Sequence, residues 1–210
     1  MRMLQRFLVA LLPILALLAA CGGESSADPF YQAVPKVCDI VSKQVISPYV
    51  GDVMGKRTDF VAKYVDKEGG VTADECSWDH TQEVRSGDRL LRTYSRRLTV
   101  VIVRYPEKDD YGYTGAQMAK NEYESTKKAA RDTNALIREE PGLGQGAFLQ
   151  TMGSADIWLR YRRGNLIVRV MFNIFDSTDP NVAKSENRQL LQSGVLAVAR
   201  EVDAKLASSR

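Results

Sequence analysis

Ile157, Leu159 and Tyr161 alternate with Trp158, Arg160 and Arg162. After Gly164-Asn165 the alternation resumes at Leu166, Val168, Val170, Phe172 and Ile174. A period of two puts alternate side chains on one face of a strand, and a Gly-Asn pair between two such runs signals a hairpin. The stretch predicts two antiparallel strands, one face apolar and the other carrying Trp158 and arginines. A longer pair precedes it: Ala73 to Glu83 and about Arg89 to Tyr105 flank a Ser86-Gly87-Asp88 turn. In the second of these strands the Leu98–Val103 run is nearly continuous and β-branched, the pattern of a strand buried on both faces. Phe148 to Met152 supplies a fifth, short strand after the Pro141–Gly146 loop.

Helical periodicity falls between the strands. Val34, Val37, Cys38, Val41 and Val45 mark one face of a helix that Ser47-Pro48 should end. Phe60, Val61, Tyr64 and Val65 suit a short helix broken by Gly69-Gly70. Gly115 to Thr133 reads as a helix with Ala116, Ala119, Tyr123 and Ala130 inward. Asp179-Pro180 opens the last, whose stripe is Leu191, Val195, Val198, Val202 and Leu206. Hairpin, Pro-containing linker and helix thus occur twice, in 73–133 and 155–207, which raises a duplication hypothesis without residue-level self-similarity. The expected fold is α+β: an antiparallel sheet of about five strands with helices packed mainly on one face and one disulfide.

The N-terminus has basic Arg2 and Arg6, then an apolar run from Phe7 to Leu18, the pattern of a secretory signal peptide. The run contains Pro13 and is short of the ~20 residues that span a bilayer. Leu18-Ala19-Ala20-Cys21 resembles the lipobox of bacterial lipoproteins. That resemblance implies that Cys21 is acylated on sulfur and becomes the first mature residue. Residues 1–20 are then a signal peptide, 21–29 a flexible lipidated tether, and 30–210 a single extracytoplasmic domain. With Cys21 taken, Cys38 and Cys76 remain for one disulfide in an oxidising compartment; two buried free thiols are the alternative. Losing Arg2 and Arg6 leaves 27 basic residues against 26 acidic ones, too balanced for a nucleic-acid-binding field.

The chain has one histidine, His80, so a histidine-rich zinc site within it is excluded, and a Ser-His-Asp triad would have to use His80. No Gly-x-Ser-x-Gly elbow is present. Gly142, Gly144 and Gly146 lack the following helix of a dinucleotide fingerprint. The carboxylate pairs Asp109-Asp110, Glu139-Glu140 and Glu122/Glu124 sit in polar contexts that would not raise a pKa for acid catalysis. Arg89, Arg92, Arg96 and Arg97 line one strand, and Arg160, Arg162 and Arg163 crown the later hairpin. Trp158, Arg160 and Arg162 on one face, and Tyr111 and Tyr113 in the Asp109-Asp110 loop, are the candidate partner or ligand contacts. No metal or cofactor is expected.

These pieces together resemble an actinobacterial lipoprotein family that carries a domain of unknown function. The resemblance rests on Leu18–Cys21, helical Cys38, Cys76-Ser77-Trp78, Pro141-Gly-Leu-Gly-Gln-Gly-Ala147, the hairpin that follows, and a terminal helix rich in alanine and valine over 182–207. It implies an extracytoplasmic α+β domain with a disulfide and no known catalysis, and it carries over no active-site residues. The element order also resembles extracellular sensor domains of mycobacterial receptor kinases. The expected function is a lipid-anchored, non-catalytic binding or interaction module on the outer side of the cell membrane. It would contact membrane lipid through Cys21 and an envelope protein, cell-wall component or small ligand, but no nucleic acid. The alternative is an envelope enzyme of hydrolase type using His80 or a carboxylate.

Overall fold

The two hairpins form the middle of a seven-stranded sheet. The computed structural model describes residues 28–57, 70–152, 155–178 and 185–209. Cys21 and the segment before it, the Phe60–Val65 stretch and Asp179-Pro180 lie outside the described residues. The strands are β1 (Lys56–Arg57), β2 (Thr72–Ser86), β3 (Arg89–Arg104), β4 (Leu136–Glu140), β5 (Ala147–Thr151), β6 (Asp156–Arg163) and β7 (Leu166–Asp176). Their order is β1-β2-β3-β7-β6-β5-β4, and every neighbouring pair is antiparallel. The sheet therefore exceeds the expected five strands by its two edges, β1 and β4.

Helices cover both faces. On the first, Cys76, Trp78, Val100, Leu159, Val170 and Phe172 pack against α1 (Val37–Ile40), α2 (Lys43–Val50) and α4 (Ser185–Ser208). The expected stripe of α4, Leu191 to Leu206, is buried there. On the second, Val101, Val103, Phe148 and Ile167 pack against Ala119, Tyr123 and Ala130 of α3 (Gly115–Asp132). The expectation of one mainly covered face thus holds for three helices and fails for α3. The cause is β3, buried at every position from Leu98 to Val103: a strand apolar on both sides needs cover on both. The two hairpin–helix units also put α3 and α4 on opposite faces. A two-fold axis through the sheet, the operation that pairs β3 antiparallel with β7, would put them on the same one.

The expected first helix is split in two. Val41 turns extended, and Ser42 caps α2 by accepting from Val45 N at 3.4 Å while its own N–H donates to Glu201 of α4 at 2.9 Å. α2 runs past Ser47-Pro48 to Val50, because Gly51 N–H still closes on the Ser47 carbonyl.

Cys38 and Cys76 form a disulfide, with Cα atoms 5.2 Å apart. It ties α1 to β2 beside buried Trp78. A Cβ at Gly55 would lie 2.6 Å from Trp78 Nε1 and 2.7 Å from Cys76 Sγ, so this crossing of the chain over the bridge requires glycine.

A strap fixes the start of the domain to the β6–β7 turn. Asn165 Oδ1 accepts from Tyr31 N at 2.8 Å, and Asn165 Nδ2 donates to the Tyr31 and Tyr105 carbonyls at 3.0 and 2.8 Å. Tyr31 Oη donates to the Leu206 carbonyl, and Arg163 bonds Tyr31 Oη and Asp203. Gly164 has φ +59°, and a Cβ there would overlap the Pro29 carbonyl.

At the opposite end the β2–β3 hairpin outruns the sheet as an arm. β7 pairs with β3 only as far as Tyr94↔Asp176. The arm is held at its base by Asp176, which accepts from Arg92 Nε at 3.0 Å and from Thr178 N and Oγ1 at 3.0 and 2.9 Å. The Arg92 guanidinium, helped by Thr178, holds the Asp176 carboxyl well below the usual carboxylate range despite burial.

Two outcomes follow. Cys38→Ala or Cys76→Ala should lower unfolding stability by ~4 kcal/mol in the chain-entropy account of a loop this long, read by urea denaturation of the Cys21→Ser chain. A loss under ~1 kcal/mol would show that the bridge adds little. A carboxyl with a depressed folded pKa stabilises fully above about pH 4 and loses that contribution as pH falls. The urea midpoint of the wild type should therefore drop more steeply between about pH 5 and pH 2 than that of Asp176→Asn; parallel profiles would contradict the assignment.

Candidate binding face

α3 covers the part of the second face nearest the β6–β7 turn, where it packs on Val103, Ile167 and Phe148. Its position follows from its ends. Thr114 and Gln117 form a reciprocal capping box, and Gly115 lies against the Tyr105 and Pro106 carbonyls with no room for a Cβ. Beyond it, Trp158, Asp156, Asn173, Asp79 and Arg97 stand on the same face, half-buried or exposed.

The edge of the covered region carries an electrostatic conflict. Arg160 lies directly opposite Arg169 in the β6–β7 ladder, a like-charge pairing that destabilises a sheet. Glu122 of α3 accepts from Arg169 and from the Tyr105 hydroxyl. No hydrogen bond or ion pair reaches the Arg160 guanidinium from the described residues; it sits 5.0 Å from the Trp158 ring centre. Arg160 Nε, Arg169 Nε and Gln150 Oε1 are buried without hydrogen-bond partners among the described residues, and Gln150 is the cross-strand neighbour of Trp158. Burial, reinforced by Arg169, pushes the Arg160 pKa down to about 10, so it remains a cation at neutral pH. Farther along the same face burial raises the Asp156 pKa.

This arrangement presents an aromatic platform beside a desolvated guanidinium with donors to spare. A planar guanidinium matches carboxylate or phosphate geometry and hydrogen-bonds it more strongly than a neutral group would.

The expected contact residues do not form one site. Trp158 and Arg160 share this patch. Arg162 lies on the same strand face but donates to Asp28 and the Gly164 carbonyl, as part of the strap. Tyr111 and Tyr113 occupy a loop at the strap's end of the sheet. The arginines of β3 are largely tied within the fold: Arg92 to Asp176, Arg97 to Asp79, and Arg96 to the Tyr94 hydroxyl and Tyr49 carbonyl. His80 is exposed on the first face beside Gly51, whereas Asp156 is on the second, so the sheet separates them. The triple-glycine loop joins β4 to β5 with no helix after it. No group of three His, Cys, Asp or Glu among the described residues could hold a metal ion, and no described helix is long and apolar enough to cross a membrane.

Arg169 and Gln150 are not singled out by the sequence, and Glu122 enters it only as one of the carboxylate pairs set aside for acid catalysis. Arg169 was within reach: a two-residue Gly164-Asn165 turn pairs Arg163 with Leu166, and counting back three positions pairs Arg160 with Arg169. Gln150 and Glu122 depend on packing between elements. No protein-family model, curated protein or solved structure matches the chain.

Because Arg160 has repulsion on one side and no acceptor among the described residues, Arg160→Met should raise stability by about 1 kcal/mol. Thermal unfolding should then shift up by roughly 3 °C. Arg169→Met should lower it, since Glu122 loses its cation. A drop for Arg160→Met comparable to that for Arg169→Met would mean that Arg160 is structural.

Proposed function

We propose that this chain is a non-catalytic, lipid-anchored binding module of the bacterial envelope. Acylated Cys21 holds it on the outer side of the cytoplasmic membrane, and its second sheet face recognises a carboxylate or phosphate group at Trp158 and Arg160. The anchor half of the reading is carried by the Leu18–Cys21 lipobox and by the resemblance to actinobacterial lipoproteins. The binding half is carried by one observation: of two directly opposed arginines only Arg169 reaches a carboxylate, that of Glu122, and both Nε atoms are buried and unpartnered among the described residues. A buried donor left unmade costs about 1–3 kcal/mol, and an incoming anion would remove that cost for Arg160. The partner classes that carry such a group are an envelope protein, a cell-wall component and a small ligand.

Two measurements test the two halves. In cells the wild type should fractionate with membranes and Cys21→Ser should be soluble; a Cys21→Ser chain that stays in membranes contradicts the anchor. Soluble Cys21→Ser chain titrated with inorganic phosphate or acetate should change its tryptophan emission. Trp158→Phe should remove that signal, and Arg160→Met should abolish the binding. Emission indifferent to both anions contradicts the site.

A further inference from the structure

Of the four exposed aromatic side chains among the described residues, three lie at the strap's end of the sheet, Phe30 (47 % exposed), Tyr113 (52 %) and Tyr111 (88 %), and one, Phe175, stands alone near the base of the arm. Phe30 precedes Tyr31, whose backbone is bonded to Asn165. The tyrosine loop leaves β3 and returns to α3 at the same residue, since Asn165 also holds the Tyr105 carbonyl and its Cβ lies 3.0 Å from where a Cβ on Gly115 would be. The loop is pre-shaped: Asp109 Oδ1 accepts from Tyr111 N and Tyr113 N at 3.0 and 2.8 Å, and Lys108 bridges to Thr114. It holds the tyrosines outward on a fixed frame.

The tether begins at this same end. From Cys21 to Asp28 the chain reaches at most ~25 Å. Asp28 is itself ion-paired to Arg162 beside the β6–β7 turn. β3, 16 residues long, spans ~50 Å from this end to the arm. Tyrosine favours the boundary between water and acyl chains, where its ring is buried and its hydroxyl stays wet, and a phenylalanine beside it buries its ring on the acyl side. Charge does not draw this end to the bilayer, because Glu107, Asp109 and Asp110 offset Arg104 and Lys108 along the loop and its base.

We infer that the strap's end of the domain seats on the bilayer surface through Phe30, Tyr111 and Tyr113, directing the β2–β3 arm away from the membrane. The inference rests on the proposed lipid anchor and adds an orientation to it. The contact is aromatic, so it needs no anionic lipid and survives high salt.

The test uses the protein as processed by the bacterial cells that express it, mixed with phosphatidylcholine vesicles whose brominated acyl chains quench tryptophan at the interface. Tyr111→Trp adds a probe at an exposed site in the loop, and Leu91→Trp adds one on the arm. Bromolipid should cut the added Tyr111→Trp emission roughly twofold, at low and high salt, and leave Leu91→Trp unchanged. Vesicle flotation reports the anchor separately. Protein that floats without quenching at Tyr111→Trp, or with equal quenching at Leu91→Trp, overturns the seating alone. Protein that does not float overturns both the anchor and the seating.

Discussion

Burial of β3 on both faces governs this fold. From Leu98 to Val103 each residue is shielded, so apolar side chains leave the strand in both directions and one helical layer cannot cover them. α1, α2 and α4 take one side and α3 takes the other. Where the apolar run gives way to Arg97, Arg96 and Ser95, cover thins, and past Tyr94, the last residue paired with β7, β3 continues with β2 as the arm. β7 follows this plan as the partner strand, apolar at Val168, Val170 and Phe172 toward the larger layer, with Ile167 alone turned fully into the smaller one.

Asymmetry between the layers creates the candidate site. α3 is one helix against three, and it covers the second face as far as Phe148 and Ile167. At its margin the ladder register sets Arg160 against Arg169 where neither is fully in water nor fully in the core. A sheet optimised only for stability would place opposite charges or apolar residues there. A locally unfavourable choice in an otherwise consistent pattern is where functional constraint is expected. Trp158 adds a ring to the same spot, and Gln150 adds an oxygen that is buried without a partner among the described residues.

Period-two alternation and the two turns made β2, β3, β5, β6 and β7 legible in the sequence, because each buries a stretch on at least one face, over 74–78 in β2 and 98–103 in β3. β1 is two residues long and carries no pattern. β4 reads Leu-Ile-Arg-Glu-Glu, with a register irregularity between Leu136 and Arg138, so its alternation is erased and its acids resemble the tail of the preceding helix. The break at Val41-Ser42 was hidden because the apolar spacing continues across it, and the cap is completed by Glu201 far along the chain. Helical periodicity identified the stripe of α3 but holds no information on which side of a sheet that stripe will find. The candidate site was half legible: Trp158 and Arg160 stand out by alternation, whereas the lack of a counter-charge for Arg160 among the described residues appears only when Glu122 is seen to serve Arg169.

The central claim is that Arg160 and Arg169 are held ready for an anionic group. The direct measurement is the ¹⁵N–¹H spectrum of arginine Nε groups in the soluble Cys21→Ser chain as inorganic phosphate is added. Buried Nε–H protons exchange slowly and report their acceptor. The Arg160 and Arg169 Nε signals should move together and saturate while Arg97, paired with Asp79, stays in place. Stationary Arg160 and Arg169 signals, or a uniform drift of all exposed arginines without saturation, would contradict it.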